Sequence, residues 1–545
     1  MGLVSFSNHK KALALAAALA AGALLLGGCG GKKSGSAQAA AGGKKDSLAV
    51  GMFNAPDSFN PLFNPGIAGQ FTIRFMYDTL LGMPEINNFT PHLAKSFETT
   101  DNQNYTIKLD EKAKWTDGKP ITADDVIFTL NMIANPKVQT TKGTYINMLD
   151  GTSTVGKVAE GQTIPNLVKV DDHTITFKTK APMDQNMVKS MLGFEVYIVP
   201  KHIFEKLDPA TIANSEAATK PTVTSGAYKF KEYKTGDHVE LEANDQYFRG
   251  SPKIRKVFLR IMNGTSLVTE LKSGNVHMAA SGGIGAVPVK DLDILKQDSK
   301  LSVKAVPSLN TQYLEVNNQV PEFNVKFRRA VTMAIDREKL CKDLYKGTAH
   351  VVPTIYTKVS KVYDESVKPL PYDPEAAKKE LAESGFDTSK EIVLQVPLGN
   401  IQREQSADII QQNLQAIGLK IKLQKYDFPT VLSNCKKGDY QMLLLGYALT
   451  PDPDYRDYFV PGGGSNFAHT DDPKLTEMMT QAASVPTFEE RKKLYKDIQI
   501  YMRDNQFVTS LYENDMFIVQ DKTLKGGIKD FWEGSLDDLQ NWHFE

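Results

Sequence analysis

The chain has 545 residues with 64 basic and 64 acidic side chains, which gives a formal net charge of zero at pH 7. This balance gives no support to nucleic acid or an anionic surface as a partner, and we expect no nucleic-acid binding. The chain is too long for one hydrophobic core and predicts about two or three packed units.

The first 28 residues have the layout of an export signal. His9, Lys10 and Lys11 form a basic start, and residues 12–28 form an apolar run rich in Ala and Gly. A membrane-spanning helix needs about 20 strongly apolar residues, so this run indicates a signal peptide instead. The sequence LGGC, which ends at Cys29, resembles the bacterial lipoprotein signal, in which the thiol is lipidated and becomes the mature N-terminus. The alternative is an ordinary signal peptide with an incidental cysteine.

Residues 29–46 predict a flexible tether. The sequence GGKKSGSAQAAAGGKKD after Cys29 has an expected r.m.s. span of roughly 20 to 25 Å. Two or more lipid chains hold a protein stably on a bilayer. We therefore expect an extracytoplasmic protein that is anchored to the cell membrane by its lipid, and that lies in the periplasmic space if the bacterium has two membranes. After the anchor, Cys341 and Cys435 remain. Export permits a disulfide between them, and two buried free thiols are the alternative.

Local patterns after the tether alternate between strand and helix. The sequence YTIKL at 105–109 places its apolar side chains on one face with a period of two, which predicts a half-buried strand. The sequence DGKP at 117–120 predicts a turn. Thr122, with Asp125 three residues later, then predicts the capped start of a helix.

The second half shows a clearer alternation. Asp373 and Pro374 predict a helix start, and Gly385 predicts its end. The elements that follow are predicted as strand 391–397, helix 402–417, strand 419–426, helix 430–437 and strand 440–447. Strands separated by helices imply parallel β-α-β units with right-handed crossovers.

No motif for catalysis or metal binding is complete. The nine histidines are scattered without a helical pair and no Cys-x-x-Cys occurs, so we expect no metal site and no cofactor. The sequence GGIG at 282–285 does not complete a dinucleotide-binding fingerprint. SNCK at 433–436 and KTG at 234–236 resemble parts of penicillin-interacting enzymes, but the order is reversed and the Ser-x-Asn element is missing. We therefore expect a protein that is not an enzyme.

Several segments, in their order along the chain, resemble the solute-binding proteins of the dipeptide and oligopeptide class (family 5) that serve ABC importers. They are SFNPL (58–62), YDTLLG (77–82), PHLAKSF (91–97), WTDGKPITADDV (115–126), SGAY (225–228), NDQYF (244–248), LKSGN (271–275), FRRAV (327–331), AIDR (334–337), YDPEAA (372–377), and GY (446–447) followed by PDPD (451–454). Most of these segments are expected to have a structural role and not to contact a ligand. Trp115, for example, is expected to pack in a core.

This resemblance implies an α/β, two-lobe fold of the periplasmic-binding-protein type (class II), which closes over its solute by a hinge motion. It also implies an extra subdomain in the first lobe and two crossings of the chain between the lobes, near 302–311 and 505–512. The expected divisions are a signal peptide at 1–28, a tether at 29–46, a first lobe at 47–301 that includes the extra subdomain at about 86–194, a second lobe at 302–507, and a return to the first lobe at 508–545.

The function implied by the resemblance is capture of a peptide or peptide-like solute for the permease subunits of an ABC importer, by a monomer held at the membrane through its N-terminal lipid. One alternative is the same fold with a non-peptide ligand, such as a metal chelate, haem or an oligosaccharide. Another is a sensor that feeds no permease. An exported hydrolase is disfavoured, because it needs a nucleophile, a base and an oxyanion site.

The resemblance places the ligand between the lobes, where receptor backbone groups pair with the main chain of a peptide. Gly226 and the strand end at Gly446, Tyr447 and Ala448 suit a close approach of the ligand to the receptor backbone. The structural alternative is that Gly226 is a turn glycine and that 446–448 is a plain strand end. The other candidates are Ile67 and Ala68 in a loop, Phe428 as an aromatic wall, Arg403 for a ligand carboxylate, and Asn466.

One departure from the family pattern concerns the ligand's amine. In members that bind peptides, an aspartate shortly after the aromatic residue of the Gly-aromatic segment pairs with the α-ammonium group. This chain reads GYALTPDPD at 446–454, so Thr450 has the closest equivalent position. A hydroxyl accepts a hydrogen bond from an ammonium group but supplies no countercharge. Either Asp452 or another acid takes the role, or the ligand is not an ordinary free-amine peptide.

Overall fold

A computed structural model describes residues 46–63, 66–398 and 400–545. The predicted signal peptide, the predicted lipidation site Cys29 and all of the predicted tether except Asp46 lie outside the described residues. Within the described ranges, every helix is too short or too polar to cross a membrane.

The strands of the described residues are numbered in chain order. They are β1 Ser47–Met52, β2 Leu81–Glu85, β3 Asn88–Pro91, β4 Ala94–Thr99, β5 Asn104–Leu109, β6 Val168–Asp171, β7 Thr174–Lys178, β8 Tyr228–Lys234, β9 His238–Ala243, β10 Lys256–Ile261, β11 Met278–Ala279, β12 Leu301–Val306, β13 Asn310–Val316, β14 Ala349–His350, β15 Glu391–Pro397, β16 Lys420–Tyr426, β17 Met442–Ala448, β18 Val508–Asn514, β19 Met516–Asp521, β20 Leu524–Lys525 and β21 His543–Phe544.

The α-helices of the same residues are numbered in the same way. They are α1 Ile67–Met76, α2 Ala123–Ala134, α3 Gln185–Val188, α4 Lys201–Phe204, α5 Glu216–Thr219, α6 Gly264–Ser273, α7 Leu292–Lys296, α8 Val325–Ala334, α9 Arg337–Tyr345, α10 Pro374–Ser384, α11 Ile401–Ala416, α12 Phe428–Lys437, α13 Arg456–Phe459, α14 Pro473–Ser484, α15 Phe488–Asn505 and α16 Trp532–Ser535. Short 3₁₀ helices lie at Thr141–Tyr145, Ile212–Asn214, Val289–Asp291 and Leu536–Asn541, and a π-helical turn lies at Lys189–Phe194.

Two large mixed sheets organise the chain. A seven-stranded sheet has the order β12-β19-β11-β1-β10-β9-β8, and a six-stranded sheet has the order β14-β18-β13-β17-β15-β16. In the six-stranded sheet, β15 pairs in parallel with β16 and with β17. The helices α11 and α12 connect these strands, so the predicted parallel β-α-β units are confirmed. The strand β13 is antiparallel to both of its neighbours, which makes the sheet mixed.

A smaller antiparallel sheet, in the order β4-β5-β7-β6, belongs to a third packed region. The strand predicted at 105–109 is β5, with its apolar face buried. The predicted helix start at Thr122 is also confirmed, because the Asp125 carboxylate accepts a hydrogen bond from the Thr122 backbone N–H at 2.9 Å. Trp115 is fully buried in the core of this region.

The chain passes between the two large sheets at two short connections. Residues 307–309 join β12 to β13, and Asp515 joins β18 to β19. The two connections lie side by side, because the Ser308 hydroxyl donates a hydrogen bond to the backbone carbonyl of Asn514 at 2.6 Å. The strand β18 pairs in the six-stranded sheet, so the second passage lies seven or eight residues after the boundary expected at 507.

Cys341 and Cys435 are both free thiols and form no disulfide with each other. Of the two alternatives that the sequence left open, the pair of buried free thiols is therefore the correct one. Both are buried in the part of the chain built on the six-stranded sheet. Burial raises the pKa of each thiol to about 12, and the two side chains act as small apolar groups.

Candidate functional site

A cavity of about 740 Å³ lies beside the connection formed by residues 307–309. Its volume is within the range of about 300 to 1,000 Å³ that is typical of sites for small ligands. Both large sheets contribute to its wall, through Lys304 from the seven-stranded sheet and Asn310 from the six-stranded sheet. A solute in this cavity therefore contacts both halves of the fold.

Segments from distant parts of the sequence form the rest of the wall. The lining residues are Ile67, Gln70, Arg74, Pro84, Glu85, Ile86, Tyr145, Glu195, Gly282, Lys304, Pro307, Ser308, Leu309, Asn310, Val359, Lys361, Leu449, Thr450, Pro451, Tyr458, Ile528, Lys529, Asp530, Phe531, Trp532 and Glu533. The wall combines apolar and aromatic groups with a few charged side chains, a composition typical of ligand sites.

Arg74, on α1, is the most enclosed cation of this wall. Its Cζ lies 4.8 Å from the ring centroid of Phe194, 5.8 Å from that of Tyr197 and 5.7 Å from that of Trp532. The buried Nε of Arg74 has no hydrogen-bond partner among the described residues. The faces of the three aromatic rings stabilise the guanidinium group where water is largely excluded.

The carboxylates of Glu195 and Glu533, which also line the cavity, interact electrostatically with Arg74. Burial raises the pKa of Glu533 to about 7, and the positive charge of Arg74 opposes this rise. Behind Glu195, the buried Nζ of Lys142 donates a hydrogen bond to the backbone carbonyl of Glu195 at 2.9 Å. Burial lowers the pKa of Lys142 to about 8.

Of the residues predicted for the site, Ile67 and Thr450 line the cavity. Ile67 is the first residue of α1, and Ala68 beside it is buried in the core of the seven-stranded sheet. The Thr450 hydroxyl donates a hydrogen bond to the backbone carbonyl of Asp452 at 3.0 Å. Thr450 therefore reaches the site, while its hydroxyl stabilises its own loop.

Asp452 does not line the cavity. Its carboxylate is buried and accepts hydrogen bonds from Nη1 and Nη2 of Arg491 at 2.8 and 2.9 Å. The same guanidinium group donates a hydrogen bond to Asp184 at 3.1 Å. Since the charge of Asp452 is already compensated by Arg491, the carboxylate lacks the open position that a ligand ammonium group needs.

Tyr447 and Ala448 lie on β17, next to β13. The Tyr447 hydroxyl donates a hydrogen bond to the buried carboxylate of Glu315 at 2.9 Å. The backbone of Ala448 is paired with Asn310, which is itself a lining residue. Through this backbone pairing, β17 supports the cavity wall at Asn310.

At the two predicted glycines, Gly226 and Gly446, the groups that approach the backbone closely belong to the protein itself and not to a ligand site. A Cβ atom on Gly226 would lie 2.6 Å from the backbone carbonyl carbon of Met76, and the Gly226 N–H donates a hydrogen bond to the Met76 carbonyl at 2.7 Å. A Cβ atom on Gly446 would lie 2.1 Å from Nε2 of Gln312. The Nε of Arg403 donates a hydrogen bond to Oε1 of Gln312 at 3.0 Å, so Arg403 is held over the sheet and does not line the cavity.

Phe428 and Asn466 also lie away from the cavity wall. Phe428 is 47% exposed at the start of α12. The Asn466 side chain donates hydrogen bonds to the carbonyls of Val460 and Thr470 and accepts one from the Thr470 N–H. Asn466 therefore closes a loop.

The predictions missed the charged and aromatic residues of the cavity, in particular Arg74, Glu195, Trp532 and Glu533. The strongest signal was an arginine, the one charged residue in the mostly apolar segment IAGQFTIRFM of α1, because an unpaired charge on a buried helix face is costly. Within the described residues, no group of three or more His, Cys, Asp or Glu side chains has an arrangement that could hold a metal ion.

Comparison with known proteins identifies the family. The sequence profile described as "Bacterial extracellular solute-binding proteins, family 5 Middle" matches residues 88–467. The chain is 27% identical over 501 residues to the oligopeptide-binding protein AppA of Bacillus subtilis, and the match covers 88% of each chain. It is 24% identical to the dipeptide-binding protein of Escherichia coli K12, with 90% of this chain and 92% of that protein covered.

Solved structures agree with this assignment. The structure of AppA from Bacillus subtilis in complex with a nonapeptide has a TM-score of 0.78 and 26% identity, and covers 92% of this chain and 99% of that one. The substrate-binding protein CtaP of Listeria monocytogenes has a TM-score of 0.80 and 26% identity, over 92% of this chain and all of that one. The fold of NikZ from Campylobacter jejuni, in complex with Ni(L-His), is also similar, with a TM-score of 0.77. The predicted α/β fold of periplasmic binding proteins is thereby confirmed, and the chain belongs to family 5 of the bacterial extracellular solute-binding proteins.

Proposed function

We propose that this protein captures peptides or peptide-like solutes outside the cell and delivers them to the permease subunits of an ABC importer. The observation that carries the proposal is the cavity of about 740 Å³ whose wall is built from both large sheets. Relatives over most of the chain are named for binding oligopeptides and dipeptides. The mixed wall also suits a solute with a polar main chain and apolar side groups.

In this proposal the two large sheets are the centres of two lobes. The first lobe contains residues 47–306, with the four-stranded sheet as its extra subdomain, because β12 pairs in the seven-stranded sheet. The second lobe begins after the connection at 307–309, a few residues later than the boundary expected from the sequence. The connections at 307–309 and Asp515 serve as the hinge, because they are the short segments that join the sheets. We infer that the solute leaves chemically unaltered, since capture and release require no covalent step.

We further propose that Cys29 carries a lipid and that the tether allows the folded part to reach its permease. Anchoring raises the effective concentration of the receptor at the membrane. Replacing Cys29 with Ser tests the anchor. The wild-type protein should sediment with membranes and the Cys29→Ser variant should remain in the soluble fraction. Membrane retention of a variant whose intact mass shows that the signal peptide has been removed would contradict lipidation at this residue.

Ligand binding is tested by titration with defined peptides of two to nine residues. Trp532 lines the cavity, whereas Trp115 and Trp542 are fully buried in the cores. We therefore expect peptide binding to change the tryptophan fluorescence, and we expect the Trp532→Phe variant to lose the change while calorimetry still detects heat. Neither heat nor a fluorescence change with any peptide at millimolar concentration would reject the peptide assignment in favour of another solute.

A further inference from the structure

Three enclosed charged side chains of the cavity wall lack the direct partners that Lys304, Lys529 and Asp530 have. Glu85 and Lys361, the other charged residues of the wall, are exposed and have opposite signs. Lys304 pairs with Asp530, another residue of the wall, and Lys529 pairs with Asp538. By contrast, within the part of the chain that the structure describes, the side chains of Arg74, Glu195 and Glu533 form no ion pair and no hydrogen bond to another residue. Unpaired charges in a largely enclosed site are costly unless a bound group compensates them.

The enclosed charges that face the cavity are mainly negative. The charged groups that act on Glu533 are Arg74 from α1, Glu195 after the π-helical turn, and Asp537 from the following 3₁₀ helix. Asp537 is already engaged, since its carboxylate accepts a hydrogen bond from the Met83 N–H at 2.7 Å and faces His92 and Arg249. In the wall itself, Arg74 is therefore the enclosed cation beside the two open carboxylates of Glu195 and Glu533, while the buried Lys142, which does not line the cavity, also acts on Glu195.

We propose that Glu195 and Glu533 bind a protonated amine of the solute. An ammonium group supplies a positive charge on the cavity side and up to three hydrogen-bond donors to the two carboxylates. Phe531 also lines the cavity, and the face of an aromatic ring attracts a cation. This inference rests on the proposed function. It also gives a physical reason why Thr450 can stand where an acid is otherwise expected, because the countercharge comes from the opposite half of the fold.

Proton release provides a test that needs no variant. In the free protein the pKa of Glu533 is about 7, and a bound ammonium group favours the ionised carboxylate and lowers this pKa. Binding should therefore release a proton near pH 6.5. Affinity should rise with pH, by up to about eightfold between pH 6 and pH 7.5. Calorimetry in two buffers with different ionisation heats measures the released proton directly, and its absence would overturn the involvement of Glu533.

The source of the amine is tested with three peptide pools. One pool contains peptides of two to nine residues built from Ala, Leu, Phe and Ser with free N-termini. The second contains the same peptides N-acetylated, and the third contains N-acetylated peptides with one added Lys. We expect the wild-type protein to retain the first pool at least tenfold better than the second, as measured by mass spectrometry of the captured peptides. Retention of the third pool at the level of the first would identify a side-chain amine as sufficient.

The variants Glu195→Gln and Glu533→Gln should reduce this discrimination to less than about threefold. Glu205→Gln is the matched control, because Glu205 is exposed and lies outside the cavity wall. Equal retention of the first two pools by the wild-type protein would overturn the inference and leave the proposed function intact. Retention of none of the pools would instead contradict the proposed function, and the inference with it.

Discussion

Arg491 holds both carboxylate oxygens of Asp452 in a two-pronged ion pair, with N–O distances of 2.8 and 2.9 Å. The side chains of Arg491, Asp452 and Asp184 are only 1%, 4% and 2% exposed. Asp452 directly follows three residues of the cavity wall, Leu449 to Pro451, and Asp184 belongs to the region of the four-stranded sheet. The guanidinium group of Arg491 therefore fastens the edge of the cavity to a second region of the fold.

Removing this guanidinium group should destabilise the protein strongly. The variant Arg491→Met leaves two buried carboxylates without a countercharge, and we expect the free energy of unfolding to fall by about 3 to 5 kcal/mol in urea denaturation. Arg503→Met is the matched control on the same helix, since Arg503 pairs with the more exposed Asp504. We expect a change below about 1 kcal/mol there.

Neutralising the two acids in the Arg491→Met background should restore much of the lost stability. The triple variant with Asp184→Asn and Asp452→Asn contains no buried charge at this point, and buried ion pairs are often replaceable by neutral side chains. If the triple variant were as unstable as Arg491→Met alone, packing of the arginine stem, and not its charge, would explain the loss.

Glu315 should make stability depend on pH. Its carboxyl group is fully buried, and burial raises its pKa from 4.5 to about 7, against the hydrogen bond from Tyr447. Between these pH values the folded state binds more protons than the unfolded state. The free energy of unfolding therefore falls as the pH rises through this interval and levels off above it.

The Glu315→Gln variant should lack this contribution, because the amide resembles the protonated acid. We compare the free energy of unfolding of Glu315→Gln with that of the wild type by urea denaturation at pH 5 and at pH 8. From pH 5 to pH 8 we expect the difference to shift in favour of the variant by up to about 3 kcal/mol. The exposed surface residue Glu383 provides the control variant Glu383→Gln. A constant difference between wild type and Glu315→Gln at all pH values would contradict the raised pKa.

Local signals predicted the second half of the fold well. Asp373 accepts a hydrogen bond from the Ala376 N–H, and Gly385 adopts φ +75°, so the helix between them has the start and the end that its sequence indicates. The seven-stranded sheet was beyond such reasoning. It brings β1 together with β10, β11 and β19. These three strands lie hundreds of residues after β1 in the chain, and no local sequence signal indicates their pairing.

The site was predicted only in part, for a related reason. Thr450 and Ile67 follow from the family resemblance, whereas Glu195 and Glu533 come together only through the tertiary fold. The partner of Asp452 is likewise supplied by α15, 39 positions later in the chain. No local pattern indicates that a carboxylate in a loop is already paired.

The two thiols should be unreactive in the folded protein. Both Cys341 and Cys435 are buried, and burial raises the pKa of each to about 12, so the thiolate that reacts with Ellman's reagent is scarce. In the Cys29→Ser variant we expect slow modification of both thiols under native conditions and rapid modification in urea. Fast reaction of either thiol in the native state would show that its region opens readily.

Gly226 should tolerate no side chain. A Cβ atom there meets the backbone of Met76 and Phe75, which cannot move aside as a side chain can, so we expect Gly226→Ala to lower the free energy of unfolding by about 1 to 3 kcal/mol. Gly264→Ala is the control, because a Cβ atom on Gly264 makes only ordinary contacts with Phe53 and Pro288. Unchanged stability of Gly226→Ala would contradict the close packing of the Gly226 backbone against the end of α1.

The central claim, capture of a peptide-like solute between the two halves of the fold, is tested most directly by native mass spectrometry of the protein purified from its own host. We expect a mass excess over the lipidated chain that disappears on denaturation, and fragmentation of the released solute should show a peptide with a free amine. Release of a solute that contains no peptide bond, such as a metal chelate, haem or an oligosaccharide, would contradict the account.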